Sequence, residues 1–424
     1  MGTYIERIVD RELDELFGAL PAIALEGARA VGKTETATRR ARTVYRLDDE
    51  PQRVVAEADP QQVASGEKPI LVDEWQRVPA TWDVIRRAVD RDYGPGQFLL
   101  TGSASPTAPP THSGAGRILT LRMRPLTLFE RGVGEPTVSL RSLLEGTRDP
   151  VDGSTEVTLA DYVREIVASG FPALRPLPDR ARRAQLDGYL RRIVDKDFGQ
   201  QGLSPRRPAT LRRWMTAYAA ATSTTASLAT IRDAAAGRQE EAPAKQTVQA
   251  YREILEQLWM LDPVSAWIPT RNYLSRLSQP PKHQMVDPAL AARLLGVDAD
   301  ALLQGKEGGA LIPRDGTLLG HLFEALVTLS VRVFAQAAEA RVRHLRLYSG
   351  AREVDLIVER PDHRVVAVEV KLSATVRDDD VNDLVWLRES IGDDLLDAVV
   401  INTGPRAYRR QDGIAVVPAA LLGP

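Results

Sequence analysis

Residues 27–34 read GARAVGKT, a complete G-x-x-x-x-G-K-[ST] phosphate-binding loop, and few eight-residue strings restrict a fold so strongly. Gly27 and Gly32 let the backbone curl so that successive N–H groups point at phosphate oxygens. Lys33 brings a compact positive charge to the β- and γ-phosphates, and the Thr34 hydroxyl is a ligand for Mg²⁺. With seven lysines and 30 glycines in 424 residues, an accidental match has a probability of roughly half a per cent. The flanks agree with the motif. AIALE at 22–26 is the strand expected before the loop, and 35–42 has no helix breaker after it.

The strand-and-helix rhythm then continues. VYRLDD (44–49), PILVDE (69–74) and QFLLTG (97–102) each precede a helical or loop stretch, which predicts a parallel sheet with helices on both faces. ILVDE at 70–74 buries three apolar residues and presents two carboxylates at its carboxyl end. Asp73 is expected to hold Mg²⁺ through water, and Glu74 to orient or deprotonate the attacking water. Thr101 and Ser103 are candidates for a polar contact with the γ-phosphate. An arginine that stabilises developing charge is also expected, with Arg117 and Arg122 as candidates. They follow 103–116, a small, Pro-rich stretch that reads as a flexible loop over the nucleotide edge.

A chain of this length holds two or three domains, and the pattern divides it into 1–150, 151–285 and 286–424. The first 17 residues are charged and amphipathic, with Tyr4, Ile5, Ile8, Leu13 and Leu16 on related faces, unlike a signal peptide. No unbroken run approaches the roughly 18 apolar residues of a membrane helix. There is no cysteine, so disulfides and thiolate metal sites are excluded, and a cytoplasmic location without membrane contact is expected. The formal charge of −2 carries no global nucleic-acid signature. Only seven of the 55 basic residues are lysine, so the places where lysine is kept invite inspection; Lys33 and Lys371 both fall in candidate sites.

The middle of the chain reads as helical over 187–198, 210–221, 227–236 and 245–261, followed by LDPVSAWIP as a short hairpin or wing, which together describe a winged-helix module. Lys245, Gln246, Thr247, Gln249 and Arg252 open its third helix and are residue types that contact phosphates and base edges. Beyond a Gly-rich hinge at 304–309, a helix at 318–338 precedes strands at 342–349, 353–360 and 364–373. A helix at 380–391 and a strand at 397–403 follow.

Across most of its length the chain resembles the prokaryotic AAA-type ATPases that pair an AAA_14 P-loop domain with a DUF4143 carboxyl-terminal region. The stretches that carry the resemblance are LEGARAVGKTETA, LVDEWQRVPATWDVIRRAVD, FLLTGSAS, GRILTLRMRPLTLFE, SGFPAL, YLRRIVDKDF, LLGHLFEALV and REVDLIVE with VVAVEVKLS. The resemblance implies nucleotide binding at 27–34, acidic roles for Asp73 and Glu74, and an ATPase role for Arg117. The chain departs from the family pattern at Glu35, where Thr is usual, and in having the single Gly170 where a glycine pair is usual.

The last third has the D…E-x-K form of the PD-(D/E)xK nucleases, in Asp355, Glu369 and Lys371. That chemistry needs carboxylates on adjacent strands to hold Mg²⁺ and a lysine to position the attacking water. Strand alternation puts Glu369 and Lys371 on one face, and Glu324 on the preceding helix offers a further carboxylate. The expectation is a three-part α/β protein: an AAA-like P-loop NTPase domain, a helical and winged-helix middle, and a restriction-endonuclease-like carboxyl-terminal domain. It is expected to hydrolyse ATP with Mg²⁺ and to act on double-stranded DNA. The alternative is an ATP-dependent switch or partner-binding protein whose nuclease-like domain does not cut. The sequence leaves its oligomeric state open.

Overall fold

Five strands form the first sheet: β1 (Ala22–Glu26), β2 (Thr43–Arg46), β3 (Ile70–Asp73), β4 (Phe98–Gly102) and β5 (Ile118–Arg122). The computed structural model describes residues 4–106, 113–201, 208–236, 242–270, 279–304, 316–347 and 350–424. The 107–112 part of the Pro-rich loop and the expected hinge at 305–309 lie outside the described residues. All pairings in this sheet are parallel, in the order β2-β3-β4-β1-β5. β1, β3 and β4 are buried along nearly their whole length, as their continuous apolar runs require of a sheet covered on both faces. The order matters for chemistry, because β4 lies between the strand feeding the phosphate loop and the strand ending in Asp73.

The helix Ile8–Phe17 packs its apolar face on the core, and the buried Arg7 ahead of it is a brace. Its guanidinium donates to the Val31 carbonyl at 2.7 Å, to the Arg124 carbonyl at 2.7 Å and to Glu130 at 3.0 Å. Glu130 also accepts from the backbone N–H groups of Ile8 and Thr127. The amino-terminal helix, the phosphate loop and the 117–131 segment are therefore one hydrogen-bonded body.

The middle contains the expected helices Pro208–Ala220, Leu228–Ala235 and Lys245–Gln257. The helix expected from 187 begins earlier, at Asp179, and passes into a π-helical turn over Ile193–Asp197 that re-aims Asp197. The 261–269 stretch expected as a short hairpin or wing does not pair with itself. Its first residues pair with the segment near 282 through antiparallel bridges Leu261–Met285 and Val264–Lys282.

The second sheet has eight strands: β7 (Gly153–Ser154), β8 (Ala266–Trp267), β9 (Arg341–Arg346), β10 (Glu353–Glu359), β11 (Val365–Val370), β12 (Leu395–Asn402), β13 (Arg406–Arg409) and β14 (Ala415–Pro418). Their order is β7-β13-β14-β12-β11-β10-β9-β8. Both edge strands come from earlier in the chain, so the middle third caps the sheet on either side. A two-residue strand, β15 (Leu422–Gly423), pairs in parallel with β6 (Val138–Ser139), tying the end of the chain to the first third. One continuous apolar core joins a face of each large sheet through the helices, while smaller clusters fill their far faces. The helix spanning Thr317–Ala337 is long and apolar enough to cross a membrane, although Gly320, His321 and Glu324 break its apolar run. It is a core helix, with 72% of its apolar window buried inside the protein.

Candidate functional site

The phosphate loop leaves β1 through backbone that favours glycine at both ends. Gly27 has φ +153°, and a Cβ there would lie 2.1 Å from the Met123 carbonyl oxygen; Gly32 has φ +106°. Lys33 opens the next helix and is buried, its ammonium donating to the Gly27 carbonyl at 2.7 Å and the Ala28 carbonyl at 2.8 Å. Burial lowers its pKa to about 8, although the nearby Glu74 and Asp73 carboxylates oppose that shift.

The strand order converts separation in sequence into one cleft. The Thr34 hydroxyl donates to Asp73 at 2.8 Å, and the Thr101 hydroxyl bonds the same carboxylate oxygen. Burial raises the Asp73 carboxyl, while Thr101 and Thr34 act to lower it. Glu74 sits just past β3 in a left-handed conformation, φ 56° and ψ 44°, which is costly for a side chain with a Cβ and is retained where surroundings over-determine it. Those surroundings are visible. Ser103 donates to Glu74 Oε2 at 2.7 Å, and the Gln76 amide donates to the same oxygen at 2.6 Å. Ser103 thus touches Glu74, and Gln76 is a partner that no motif signalled. A hydroxyl, a carboxylate and a buried ammonium at the mouth of a phosphate loop fit a nucleoside triphosphate with Mg²⁺.

The cleft occupies about 680 Å³, and its outer wall comes from the family-like segments SGFPAL and YLRRIVDKDF, through Pro172, Tyr189 and Arg192. Asp197, brought in by the π-helical turn, lies 2.8 Å from Arg29 of the loop. Arg77 and Arg192 line the cleft; Arg117 does not. The reason is register. β5 runs parallel to β1 with Ile118 opposite Ala22 and Arg122 opposite Glu26, so Arg117 lies at the end of the sheet away from the loop. There it is exposed and bonded to Asp90 at 2.8 Å. Arg122 is at the right end but turns to the interior, 3.0 Å from Asp262. Asp262 also takes Arg124 at 2.8 Å and Arg332 at 2.9 Å.

The acidic residues of the last third also converge, with an addition. Glu324 lies on the buried helix, Asp355 on β10 and Glu369 on β11. Lys371 reaches Glu369 Oε1 at 2.9 Å, and Asp355 Oδ2 accepts from the Val370 N–H at 2.9 Å. Between Glu324 and Asp355 stands Lys282, 2.8 Å from Glu324 and 3.0 Å from Asp355. Burial works against its charge, but Asp355 and Glu324 outweigh burial and hold its pKa above the ordinary lysine range. Burial pushes the Glu369 carboxyl up to about 8, reinforced by Asp355 and opposed by Lys371. Among the described residues no three Asp, Glu or His side chains are gathered to hold a metal ion. Glu324, Asp355 and Glu369 as arranged therefore do not fit one. Lys282 went unnoticed in the motif reading, yet it is another of the seven lysines.

On the middle helices Lys245, Gln246 and Gln249 are exposed, whereas Arg252 is paired with Glu256 at 2.7 Å. Gln249 bonds Glu253 at 2.7 Å, so acids of the same helix compensate the polar face.

Residues 20–131 match the model of an AAA domain, AAA_14, and residues 319–422 match DUF4143, a domain of unknown function. Residues 159–301 match DUF8612, a further domain of unknown function. Uncharacterized proteins of Mycobacterium bovis and Mycobacterium tuberculosis are each 29% identical over 288 residues, covering 66% of this chain and 57% of the relative. The chain thus spans little more than half the length of these curated relatives. The Walker-type ATPase of Pyrococcus abyssi superposes with a TM-score of 0.40 at 15% identity, over 69% of this chain and 96% of that one. With the phosphate loop and its acidic partners, the chain has the layout of an AAA-type P-loop domain, AAA_14, ahead of a DUF4143 region.

Proposed function

We propose that this protein is a Mg²⁺-dependent ATPase whose nucleotide cycle moves a nuclease-like carboxyl-terminal domain that binds rather than cuts. The observation that best supports it is the meeting of Lys33, Thr34, Asp73, Thr101 and Glu74 in one cleft, with Glu74 held by Ser103 and Gln76. In this reading Lys33 leaves the Gly27 and Ala28 carbonyls for the β- and γ-phosphates. Thr34 and Asp73 would hold Mg²⁺, which when bound would offset phosphate charge. Glu74 accepts a proton from water as the water oxygen bonds the γ-phosphorus. The bond from that phosphorus to the bridging oxygen breaks, and ADP leaves with the electron pair. Arg77 and Arg192, with Arg29 of the loop, are cleft-wall cations available to the charge that develops.

A continuous route supports the switch. β5 is hydrogen-bonded along β1, and its Arg122 with the following Arg124 grips Asp262. Asp262 starts the segment whose Val264 bridges Lys282, inside the carboxyl-terminal cluster. Purified protein with ATP and Mg²⁺ should release phosphate. Lys33→Ala should abolish turnover, and Glu74→Gln should keep ATP binding while losing turnover. Unchanged turnover in Lys33→Ala overturns the assignment.

A second reading, with double-stranded DNA as partner and cleavage at Asp355, Glu369 and Lys371, is favoured by the proximity of those three side chains. The exposed Lys245, Gln246 and Gln249 of a winged-helix-like middle would then face the DNA. Plasmid nicking that requires Mg²⁺ or Mn²⁺ and disappears in Lys371→Ala would establish it over the switch.

A further inference from the structure

The carboxyl-terminal acidic cluster contains a cation of its own. Lys282 is 1% exposed, and its ammonium touches Glu324 Oε1 at 2.8 Å and Asp355 Oδ1 at 3.0 Å, with Glu353 Oε1 at 3.6 Å. It is held there by backbone. The Lys282 N–H donates to the Val264 carbonyl and the Val264 N–H to the Lys282 carbonyl, both at 2.9 Å, so the side chain starts from a fixed antiparallel bridge. Asp355 is thus bonded from two sides, by Lys282 on one oxygen and by the Val370 amide on the other. Glu369 Oε1 takes Lys371, while Glu369 Oε2 is buried without a hydrogen-bond partner.

These contacts conflict with a divalent ion. Mg²⁺ demands oxygens at roughly 2.0–2.1 Å in octahedral geometry. The Glu324 and Asp355 oxygens are instead spaced around an ammonium, at hydrogen-bond distance from it. Ion and ammonium cannot share that position, since two cations there would repel and the lysine stem is enclosed. The ammonium also supplies what a buried carboxylate group requires, opposite charge and directed donors.

We propose that Lys282 is the resident cation of this site. It stands between the Glu324 and Asp355 oxygens, where a divalent metal would have to stand, so the cluster binds no divalent metal while the 279–286 segment is seated, and removal of the ammonium lets Glu324, Asp355 and Glu369 rearrange to close on one. The inference rests on the geometry of this cluster and not on the ATPase reading, so the Lys33→Ala result leaves it untouched.

The test is Mn²⁺ binding to the full chain without nucleotide, read by electron paramagnetic resonance, for the native protein, Glu369→Gln, Lys282→Met, and the double variant. Methionine keeps a long apolar stem and removes the charge. Native protein and Glu369→Gln should bind Mn²⁺ alike, since any weak binding near the phosphate loop is common to both. Lys282→Met should gain one Mn²⁺ per chain, lost again in the double variant, and Mn²⁺ should raise its melting temperature. A native Mn²⁺ site that vanishes in Glu369→Gln overturns the proposal, as does a folded Lys282→Met that gains no site. If Lys282→Met does not fold by circular dichroism, the native protein against Glu369→Gln decides, because the proposal requires those two to be indistinguishable.

Discussion

Replacing Asp262 with asparagine tests whether the ATPase sheet is joined to the rest of the chain by charge. The change is nearly isosteric and removes one negative charge from a carboxylate that is 5% exposed and lies within 3.0 Å of Arg122, Arg124 and Arg332. Removing one member of a buried ion cluster costs about 3–5 kcal/mol, because the remaining charges stay buried and uncompensated. Arg122 is 24% exposed and Arg332 16%, so water relieves part of the penalty, and the lower end, about 3 kcal/mol, is expected. The pH dependence has a definite sign. Burial alone would raise the Asp262 carboxyl, but Arg122, Arg124 and Arg332 hold it well below the usual carboxylate range. Its contribution is therefore complete above the unfolded pKa and is lost as pH falls toward the folded value. The difference between native protein and variant should shrink by about 1.4 kcal/mol for each pH unit below about 4. Urea unfolding followed by tryptophan fluorescence suits the question, since Trp259 lies under the Arg122 guanidinium at 4.7 Å. A loss below about 1 kcal/mol at neutral pH would place the cluster with ordinary surface pairs and refute the reasoning. ATP turnover should fall in the same variant, because Arg122 ends the strand paired along β1.

Gly27→Ala should weaken ATP binding by about fivefold or more, since its Cβ would meet the Met123 carbonyl and strain the backbone by about 1–3 kcal/mol; fluorescent-nucleotide titration with native affinity would contradict that. ATP affinity should fall by up to about tenfold per pH unit above pH 8, because phosphate binding requires a protonated Lys33 whose pKa burial lowers to about 8. Calorimetry in two buffers should show proton uptake on binding there. For the nucleotide-free fold the sign reverses, with stability rising between about pH 8 and the ordinary lysine pKa as the buried charge is lost. Ser103→Ala combined with Gln76→Ala should lower kcat about tenfold or more with little change in KM, because both side chains aim Glu74. An equal rise in KM would assign them to nucleotide binding instead.

Much of the nucleotide site was legible because its chemistry is local. An eight-residue loop carries its own glycines and lysine, and a strand end carries Asp73 and Glu74 together. The long helix, β9 to β12 and the helix before β12 were legible for the same reason, in the periodicity of their apolar residues, whereas β13, β14 and the short helices Pro288–Leu295 and Ala299–Leu303 were not. Arg117 was misplaced because its neighbourhood depends on which end of β5 faces the loop, and only the parallel register with β1 decides that. The expected local hairpin after 261 was displaced by a partner about 20 residues away, since Lys282 and Met285 complete the bridges instead. Gln76 could not be singled out, because a polar residue after an acidic strand end is ordinary until Glu74 is seen in a left-handed turn facing it.

By itself the sequence determined a phosphate loop between strand and helix, a parallel sheet around it, and two lysines worth examining among 55 basic residues. Those are properties of contiguous residues, whose backbone geometry and burial follow from their neighbours along the chain. The tertiary structure decided which side chains share a site, because that depends on strand order, register and charges brought together from distant segments. It set Thr101 between the loop and Asp73, sent Arg122 inward to Asp262, and seated Lys282 among carboxylates contributed by a helix and a strand. An ammonium and a divalent ion cannot occupy one position, and no count of lysines along a chain shows which position a lysine fills.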